Sequence, residues 1–246
     1  MKIENESISI IMPAFNAENT ITDSVNSILK QTYQDFRLYI INDFSQDNTK
    51  EIISKFTDYR ITVIHNEKNL GVAQSRNKAI SRCNGKYIAF LDSDDLWEPE
   101  KLEKQLDALT SGWDVVCSNY STFKPNGDIN IRCSPQIITY NDMLHSCYIG
   151  NLTGIYHAEK IGKFLQKRTG AEDYLMWLSI LKKTHKAYCI QETLAKYRIS
   201  ELSLSGNKFT SAKWQWNIYR NELNFNILKS IYYFSHYAIN ALLKRI

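Results

Sequence analysis

The sequence predicts an α/β protein with a mostly parallel sheet flanked by helices and a C-terminal helical extension. Two patterns predict this fold. Short apolar segments alternate strictly with segments of helical periodicity over the first half of the chain, and polar residues follow most of the apolar segments directly. The composition agrees, because 246 residues with 43% hydrophobic and 23% charged side chains suit a globular protein rather than a disordered or fibrous one.

The predicted elements alternate in the order strand, helix, strand along this first half. Buried strands are predicted from short runs rich in Ile, Val, Tyr and Phe, at residues 7–12, 36–41, 60–65, 86–91 and 114–121. Helices are predicted between them from apolar side chains at helical spacing, at residues 16–30, 45–56, 72–83 and 98–109. This order lines up the carboxyl ends of neighbouring strands at one edge of the sheet, where open α/β sheets bind ligands.

The rest of the chain has a weaker pattern. From residue 124 the periodicity loosens, except for a strong helical pattern over residues 173–183. After residue 206 the chain is helical and rich in aromatic side chains. We therefore predict a main domain over residues 1–205 and a basic amphipathic helical extension over residues 206–246.

The excess positive charge lies in the extension. The formal net charge is +4, yet residues 206–246 hold six Lys and Arg against one Glu. The main domain is close to neutral, so no nucleic-acid partner is expected. Apolar residues from Ile227 to Leu242 share one helical face with basic and aromatic neighbours such as Lys229 and Tyr232. Such a helix either lies on an anionic membrane surface or packs against the main domain.

The cysteines and the N-terminus predict a cytoplasmic location. The five Cys are scattered and form no CxxC pair, which favours free thiols over a zinc site or a disulfide framework. The first apolar run is short and follows acidic residues, so no signal peptide is expected. No run of about 18 apolar residues predicts a membrane span.

The segment Asp92-Ser93-Asp94-Asp95 follows a predicted central strand and is the most informative motif in the sequence. Its carboxylates repel one another, and each raises the pKa of the others unless a cation joins them. Carboxylate oxygens are the ligands that Mg²⁺ and Mn²⁺ prefer, together with substrate phosphates. The cluster therefore predicts either a metal–diphosphate site or an N-cap for the next helix.

Other candidate residues occupy comparable positions. Asp43 follows the second strand and either accepts a hydrogen bond from a uracil imide or caps a turn. Phe15 follows the first strand and either stacks on a base or belongs to the core. Arg76 lies near a helix start and either binds a phosphate or is an ordinary surface residue. Glu172 and Asp173 open the apolar helix, where an acidic pair is commonly a cap and a partner of the helix dipole, unless it belongs to the same site as the other candidates.

Taken together, the sequence resembles the inverting family 2 glycosyltransferases with a GT-A (Rossmann-like) fold, in particular those of bacterial O-antigen and capsule synthesis. The resemblance runs from Ile8 to about Ser205 and rests on ordered motifs: SIIMPAFNAENTI, INDFSQDNT, NLGVAQSRNKAI, YIAFLDSDDLW, GAEDYLMWL and LAKYRISELSLS. It implies transfer of a hexose or N-acetylhexosamine from a nucleotide sugar, most often UDP-linked. Residues 1–121 would form the nucleotide-sugar-binding half and residues 122–205 the acceptor-binding half.

The resemblance also implies a role for each candidate residue. Asp173 would be the general base and Glu172 would support it or bind the acceptor. Mn²⁺ or Mg²⁺ would be held by Asp94 and Asp92 and would stabilise the departing diphosphate. The nucleotide sugar would contact the side chains of Pro13, Phe15, Asp43, Arg76, Asp92, Ser93 and Asp94.

The sequence departs from the family pattern at two positions. Ser200 stands where a His is frequent, and Asn42 stands where an Asp is frequent. The implied acceptor is a lipid-linked saccharide, which would place the protein peripherally on the inner face of the cell membrane. Two rival functions remain open: a degenerate transferase serving as a binding or scaffold subunit, and a sugar-phosphate nucleotidyltransferase, although PAFNAEN lacks the Gly-rich basic loop that the latter needs.

Overall fold

Ten strands form one mixed sheet in the computed structural model, which describes residues 7–124, 126–199 and 208–243. The strands are β1 (Ile8–Ala14), β2 (Phe36–Asn42), β3 (Ile61–His65), β4 (Tyr87–Phe90), β5 (Leu96–Trp97), β6 (Val115–Lys124), β7 (Gly127–Arg132), β8 (Ile137–Thr139), β9 (Ile155–Tyr156) and β10 (Lys186–Arg198). Their order across the sheet is β3-β2-β1-β4-β9-β6-β10-β5, and β7 and β8 pair with β6 and β10. Because β3, β2, β1 and β4 run parallel, as do β6 and β10, the predicted fold class is confirmed.

Helices cover both faces of this sheet. They are α1 (Ile21–Leu29), α2 (Thr49–Ser54), α3 (Val72–Arg82), α4 (Lys101–Thr110), α5 (Tyr140–His145), α6 (Ala158–Ile161), α7 (Glu172–Thr184), α8 (Lys208–Asn217) and α9 (Ile227–Leu243). A 3₁₀ turn at Asn151–Thr153 precedes β9, and a π-helical turn at Ile218–Glu222 follows α8. The predicted β-α-β order up to residue 121 is therefore confirmed, with one short strand, β5, added.

Two cores form because consecutive side chains of a strand point to opposite faces of the sheet. In β1, Ile10 and Met12 pack toward α1, whose Val25 joins the same core. Ile11 points the other way and joins the core that holds the fully buried Trp177 of α7. The double covering explains why all seven residues of β1 are buried and why its sequence shows no polar alternation.

The first two helices are shorter than the sequence predicts. Helix α1 begins at Ile21 instead of residue 16 because the preceding turn binds the loop that follows β2. The amide of Asn16, which has φ 48°, donates to Ser45 Oγ at 3.1 Å, and the amide of Glu18 donates to Asp47 Oδ2 at 3.1 Å. These bonds also delay the start of α2 to Thr49, so both loops are held at the strand ends.

The long strand β10 is the main element that sequence reasoning missed. It lies between β6 and β5 and pairs with β6 in parallel. Its register shifts twice, between Ile190 and Thr193 and between Thr193 and Ala195. Each shift interrupts the alternation of side chains, so the period of two that marks a strand is lost from the sequence.

The C-terminal helix α9 packs with one face and exposes the other. The Tyr233 hydroxyl contacts Asn141 Oδ1 at 3.1 Å and Asn240 Nδ2 donates to the carbonyl of His145 at 3.1 Å, which fixes α9 on α5. The opposite face has large side chains with exposed fractions of 51 to 76%, at Ile227, Leu228, Ile231, Tyr232 and Ile239. Among the helices of the described residues, none combines the length and the apolar character needed to cross a bilayer.

Candidate active site

A cleft of about 340 Å³ lies at the carboxyl ends of β1, β2 and β4. These strands are neighbours and parallel, so the polar segments that follow them meet at one edge of the sheet. Phe15 is 48% exposed and lines the cleft rather than the core. The cleft brings together the predicted nucleotide-sugar-binding residues Pro13, Phe15, Asp43, Asp92, Ser93 and Asp94.

Asp43 is buried and organises the loop that follows β3. Its Oδ1 accepts hydrogen bonds from Asn66 Nδ2 and from the amide of Leu70, both at 2.8 Å, and its Oδ2 accepts one from the amide of Gly71 at 2.8 Å. Gly71 has φ 84°, a conformation that favours glycine, and it precedes α3. Asp43 thus fixes the backbone at the mouth of the cleft.

Asn42, the departure from the family pattern, is buried behind this loop. Its Oδ1 accepts a hydrogen bond from the amide of Ser45 at 3.1 Å, and its Nδ2 lies 3.2 Å from Nδ1 of His65. An amide side chain serves both contacts, since it carries an acceptor and a donor. Asn42 therefore fixes the loop that follows β2, and it is not among the residues that line the cleft.

The acidic segment after β4 forms a turn and leads into β5, not into a helix. The amide of Asp95 donates to the carbonyl of Asp92 at 3.2 Å, and the Asp95 carboxylate accepts the backbone N–H of Arg198 at 2.9 Å. Helix α4 begins only at Lys101 and has no side-chain N-cap bond. The alternative in which Asp94 or Asp95 caps the next helix is therefore wrong.

The acidic turn has an unusual electrostatic balance. Burial and the charge of Asp92 raise the pKa of Asp94 to about 6. Burial, together with Asp94 and Asp92, raises the pKa of Asp95 well above its ordinary value. Arg198 opposes both shifts and also donates through Nε to the carbonyl of Asp94 at 2.8 Å. Negative charge on these carboxylates is therefore unfavourable in the partly buried turn, and a cation or a cation-bound phosphate would relieve their repulsion.

Arg76 connects the acidic turn to the start of α7. Its guanidinium is almost fully buried and forms an ion pair with Asp92 Oδ1. Burial lowers the pKa of Arg76, but the charges of Asp92, Asp173 and Glu172 outweigh it, so the pKa is raised. Gln166 fixes the guanidinium from the other side, because its Oε1 accepts a bond from Nη1 at 3.2 Å.

The acidic pair at the start of α7 lies beside Arg76. Burial raises the pKa of Asp173 above its ordinary value, and the positive charge of Arg76 opposes that shift. Glu172 Oε1 accepts the amide hydrogen of Gly170 at 3.2 Å, and neither carboxylate acts as a side-chain N-cap of α7. A carboxylate with a raised pKa near a donor cleft is suited to accept a proton.

The residues fit a divalent cation only if substrate supplies part of the coordination. In residues 7–124, 126–199 and 208–243, no group of three or more His, Cys, Asp or Glu is arranged to hold a metal ion. Asp94 carries a raised pKa, and Asp92 already binds Arg76 through one oxygen. One or two carboxylates completed by phosphate oxygens and water is the arrangement that Mg²⁺ commonly adopts.

Two residues at this site were missed by sequence reasoning. Arg198 stabilises the acidic turn through its contacts with Asp94 and Asp95. The sequence held a signal for it, because a buried acidic cluster needs a counter-ion and the YRIS segment contains an arginine. Gln166 lies in a segment without periodicity, so the sequence offered no signal for it. Ser200, where the family often has a His, lies outside the described residues.

Comparison with known proteins decides the family. Residues 9–164 match the model of "Glycosyl transferase family 2". The chain belongs to glycosyltransferase family 2. It is 39% identical over 239 residues to "UDP-Glc:alpha-D-GlcNAc-diphosphoundecaprenol beta-1,3-glucosyltransferase WfgD" of Escherichia coli, with 96% of this chain and 94% of that protein covered. It is 38% identical over 246 residues to the "Putative teichuronic acid biosynthesis glycosyltransferase TuaG" of Bacillus subtilis, with 97% of each chain covered.

Solved structures agree on the fold of this family 2 glycosyltransferase. S. aureus TarS in complex with UDP-GlcNAc superposes with a TM-score of 0.71 at 21% identity, covering 87% of this chain and 67% of TarS. The mannosyltransferase PcManGT of Pyrobaculum calidifontis, in complex with GDP-Man and Mn²⁺, superposes with a TM-score of 0.69 at 16% identity, covering 94% of this chain and 70% of the other. The GT-A fold expected from the sequence is therefore confirmed, and the protein is an enzyme of the hexosyltransferase class.

Proposed function

We propose that this glycosyltransferase moves a hexose, glucose in the first instance, from a UDP-sugar to a saccharide hydroxyl on a polyprenyl-diphosphate-linked acceptor. An N-acetylhexosamine is the second choice of donor sugar. The names of the relatives WfgD and TuaG support this substrate class and a place in surface polysaccharide synthesis, such as O-antigen or capsule. The observation that carries the proposal is Arg76, which joins the donor cleft to the acidic pair of α7.

The cleft residues divide into donor contacts of different kinds. Asp43, Pro13 and Phe15 border the part of the cleft suited to a uracil ring, where Phe15 offers an exposed aromatic face. Asp92, Ser93 and Asp94 border the part suited to the ribose and diphosphate. In this proposal residues 1–121 hold the nucleotide sugar and residues 122–205 the acceptor.

Inversion requires one in-line displacement at the anomeric carbon. Asp173 takes the proton of the acceptor hydroxyl while its oxygen forms the new bond to that carbon. The bond from the anomeric carbon to the phosphate oxygen breaks on the opposite side, and UDP leaves with the electron pair. Glu172 supports Asp173 or contacts the acceptor, and the positive charge of Arg76 stabilises the charged form of both carboxylates.

A divalent cation, Mn²⁺ or Mg²⁺, fits this site through Asp94 and Asp92. Bound there, it supplies the charge stabilisation that a departing diphosphate needs, so no raised-pKa acid is required for the leaving oxygen. The Mn²⁺ in the PcManGT complex supports this choice. A scaffold subunit has less support, because it gives no reason for the buried Arg76 between Asp92 of the cleft and the acidic pair of α7.

A donor panel tests the proposal. The full chain is incubated with Mn²⁺ or Mg²⁺, with UDP-glucose, UDP-GlcNAc, GDP-mannose or dTDP-glucose, and with a synthetic GlcNAc-α-diphosphate carrying an undecyl chain. We expect metal-dependent addition of one hexose from UDP-glucose, followed by product mass and release of UDP. Binding of UDP-glucose without transfer to this acceptor or to an acceptor panel would favour the scaffold subunit, and failure of every donor to bind would exclude the nucleotide-sugar proposal.

We also propose that the enzyme acts at the inner membrane surface through the exposed face of α9. That face offers Leu228 and Ile231 beside Lys229, and the last described turn leads to Lys244 and Arg245 in the sequence. Helix α9 carries no acidic residue, so its charge complements an anionic bilayer. A lipid-linked acceptor would be presented at that surface.

Vesicle sedimentation tests this surface. The wild type is expected to bind vesicles of phosphatidylglycerol and phosphatidylethanolamine, and the double variant Leu228→Glu, Ile231→Glu is expected to lose this binding. The control is Tyr59→Glu, which alters an equally exposed side chain before β3. If the wild type stays in solution, or the double variant binds as well as the wild type, α9 does not contact the membrane.

A further inference from the structure

A second hollow, of about 370 Å³, lies on the sheet beside the acidic turn and is not part of the donor cleft. We call it the sheet hollow. Side chains of β6, β7 and β10 form it, together with Glu98 directly after β5. Its size falls within the range of small-molecule sites.

The register of the sheet places this hollow next to the donor cleft. Lys196 pairs with Ser121 and Arg198 pairs with Phe123, so Lys196 and Arg198 share one face of β10. Two residues of a strand span roughly 7 Å. Arg198 Nε donates to the carbonyl of Asp94 at 2.8 Å, so Arg198 lies at the acidic turn. Lys196 lines the sheet hollow and lies two residues before Arg198 on β10, so the hollow begins next to that turn.

The polar groups of the hollow are balanced in charge. Glu98 Oε1 and Lys196 Nζ lie 3.4 Å apart, and their side chains are 34% and 32% exposed. The pair offers hydrogen-bond acceptors and donors side by side without net charge. Such a pair suits a neutral polyol, whereas a free phosphate or a nucleotide would favour a cationic site.

The Ser121 side chain gives a second, independent indication of a ligand. Its residue is 3% exposed and lines the hollow, yet its hydroxyl has no hydrogen-bond partner among the described residues. Unpaired buried hydroxyls are uncommon and costly, so an unpaired one beside a polar hollow points to a partner supplied from outside.

The opposite wall of the hollow is apolar and open to solvent. Ile129 and Ile131 of β7 are 47% and 64% exposed, although both belong to a strand in the sheet. Ile131 lies opposite Ser121 in the register, so apolar and polar groups face the same space. A pyranose ring matches this arrangement, because its C–H groups pack on apolar side chains while its hydroxyls bond to polar ones.

We propose that the sheet hollow binds a sugar residue of the acceptor and presents it to the acidic pair of α7. This inference rests on the proposed function, since it names the part of the chain that would recognise the acceptor. Glu98, Lys196 and Ser121 bond to its hydroxyls, and Ile129 and Ile131 contact its apolar face.

Matched variants test the assignment. Glu98→Gln and Ser121→Ala are expected to raise KM for the GlcNAc-α-diphosphate undecyl acceptor about 10-fold each, the effect of losing one or two hydrogen bonds. The controls are Glu192→Gln, which breaks the ion pair of β10 with Lys104 outside the hollow, and Ser118→Ala, which lies on the other face of β6. The controls are expected to keep the wild-type KM for the acceptor, and all four variants the wild-type affinity for UDP.

Direct binding separates this inference from the proposed reaction. Saturation-transfer NMR with the same acceptor and UDP present reports binding even when no sugar is transferred. If the acceptor binds, Glu98→Gln and Ser121→Ala weaken this binding, and no sugar is transferred, the assignment of the hollow stands and the proposed reaction is overturned. If the wild type transfers sugar and both variants keep the wild-type KM for the acceptor, only the assignment of the hollow is overturned. The same holds if the two controls raise this KM as much as the variants do.

Discussion

Arg76 forms an ion pair with Asp92, which lines the cleft, while Arg76 itself lies behind the cleft lining with its side chain only 6% exposed. The pair joins α3 to the turn after β4 and keeps a positive charge beside Asp173. A buried charge of this kind is stable only while its partners remain in place. The site therefore acts as one electrostatic unit, and changes at Arg76 should affect donor and acceptor chemistry together.

Replacing Arg76 with lysine tests this unit. We expect Arg76→Lys to lower kcat/KM by about 10- to 100-fold, because a lysine cannot reach Asp92 and Gln166 together as the guanidinium does. Steady-state kinetics with UDP-glucose and the undecyl acceptor would measure the change. The control is Arg60→Lys, which alters another buried arginine paired with Asp58 far from the cleft and should change stability only. Full activity in Arg76→Lys would contradict the role.

Asp173→Asn should abolish most of the turnover while leaving UDP affinity unchanged. Loss of a positioned general base typically lowers kcat by about 10²- to 10⁴-fold. Single-turnover product formation and calorimetric titration with UDP would separate chemistry from binding. Retention of more than a tenth of the wild-type kcat would show that another group takes the proton.

The pH profile should report the same carboxylate. Burial raises the pKa of Asp173 above the ordinary aspartate value of 3.8, with the positive charge of Arg76 opposing the shift. Because the base acts only when deprotonated, the rate should fall as the pH drops through this raised pKa. The acid limb of kcat at saturating metal and donor should therefore lie above pH 3.8, and a limb at or below that value would contradict the assignment.

Asp43→Asn should loosen the mouth of the cleft. The Asn66, Leu70 and Gly71 N–H groups all donate to the carboxylate, and an asparagine would turn an NH₂ group toward one of them. We expect the free energy of unfolding to fall by about 1–3 kcal/mol and UDP affinity to fall with it. Urea denaturation and calorimetry would measure both. In the control Asp47→Asn, which affects another carboxylate bonded to backbone amides, UDP affinity should be retained.

Lys101→Met should stabilise the protein. Lys101 is fully buried, with Nζ 3.9 Å from the Trp97 ring centroid and 2.6 Å from Gln105 Oε1, and burial lowers its pKa well below the usual value. A lysine with a lowered pKa in the folded state makes stability fall as the pH drops from about 10.5 toward that pKa. The free energy of unfolding of the variant should therefore be about 1–3 kcal/mol higher near neutral pH. Its fall with decreasing pH over this range should disappear. Lys104→Met, an exposed neighbour on α4, should change neither property.

The sequence predicted the elements of residues 1–121 well and those of residues 122–205 poorly, for physical reasons. Strands buried on both faces, such as β1, keep long apolar runs, and the residues after them are forced to one edge of the sheet. The acidic turn and Asp43 could therefore be located from order alone. After residue 121, the bulges in β10 and the two-residue strand β9 leave no readable period.

The contacts that complete the site were beyond sequence reasoning for a related reason. Arg198 reaches Asp94 and Asp95 across more than 100 residues, and Gln166 reaches Arg76 across 90 residues. Such pairs depend on how the sheet closes and not on local pattern. Asp92, Asp94 and Asp173 could be named as candidates because their spacing from strands and helices is local.

The position of β10 has a consequence for synthesis on the ribosome. Because β10 is inserted between β6 and β5, the sheet cannot close until residues 186–198 have left the exit tunnel. Until then β6 and β5 present unpaired edges, which invite pairing with other chains. We expect a fragment that ends at residue 121 to aggregate although it keeps the motifs of residues 1–121, so this part of the chain is not a separable module. Fusion partners and truncations should therefore be placed beyond residue 198.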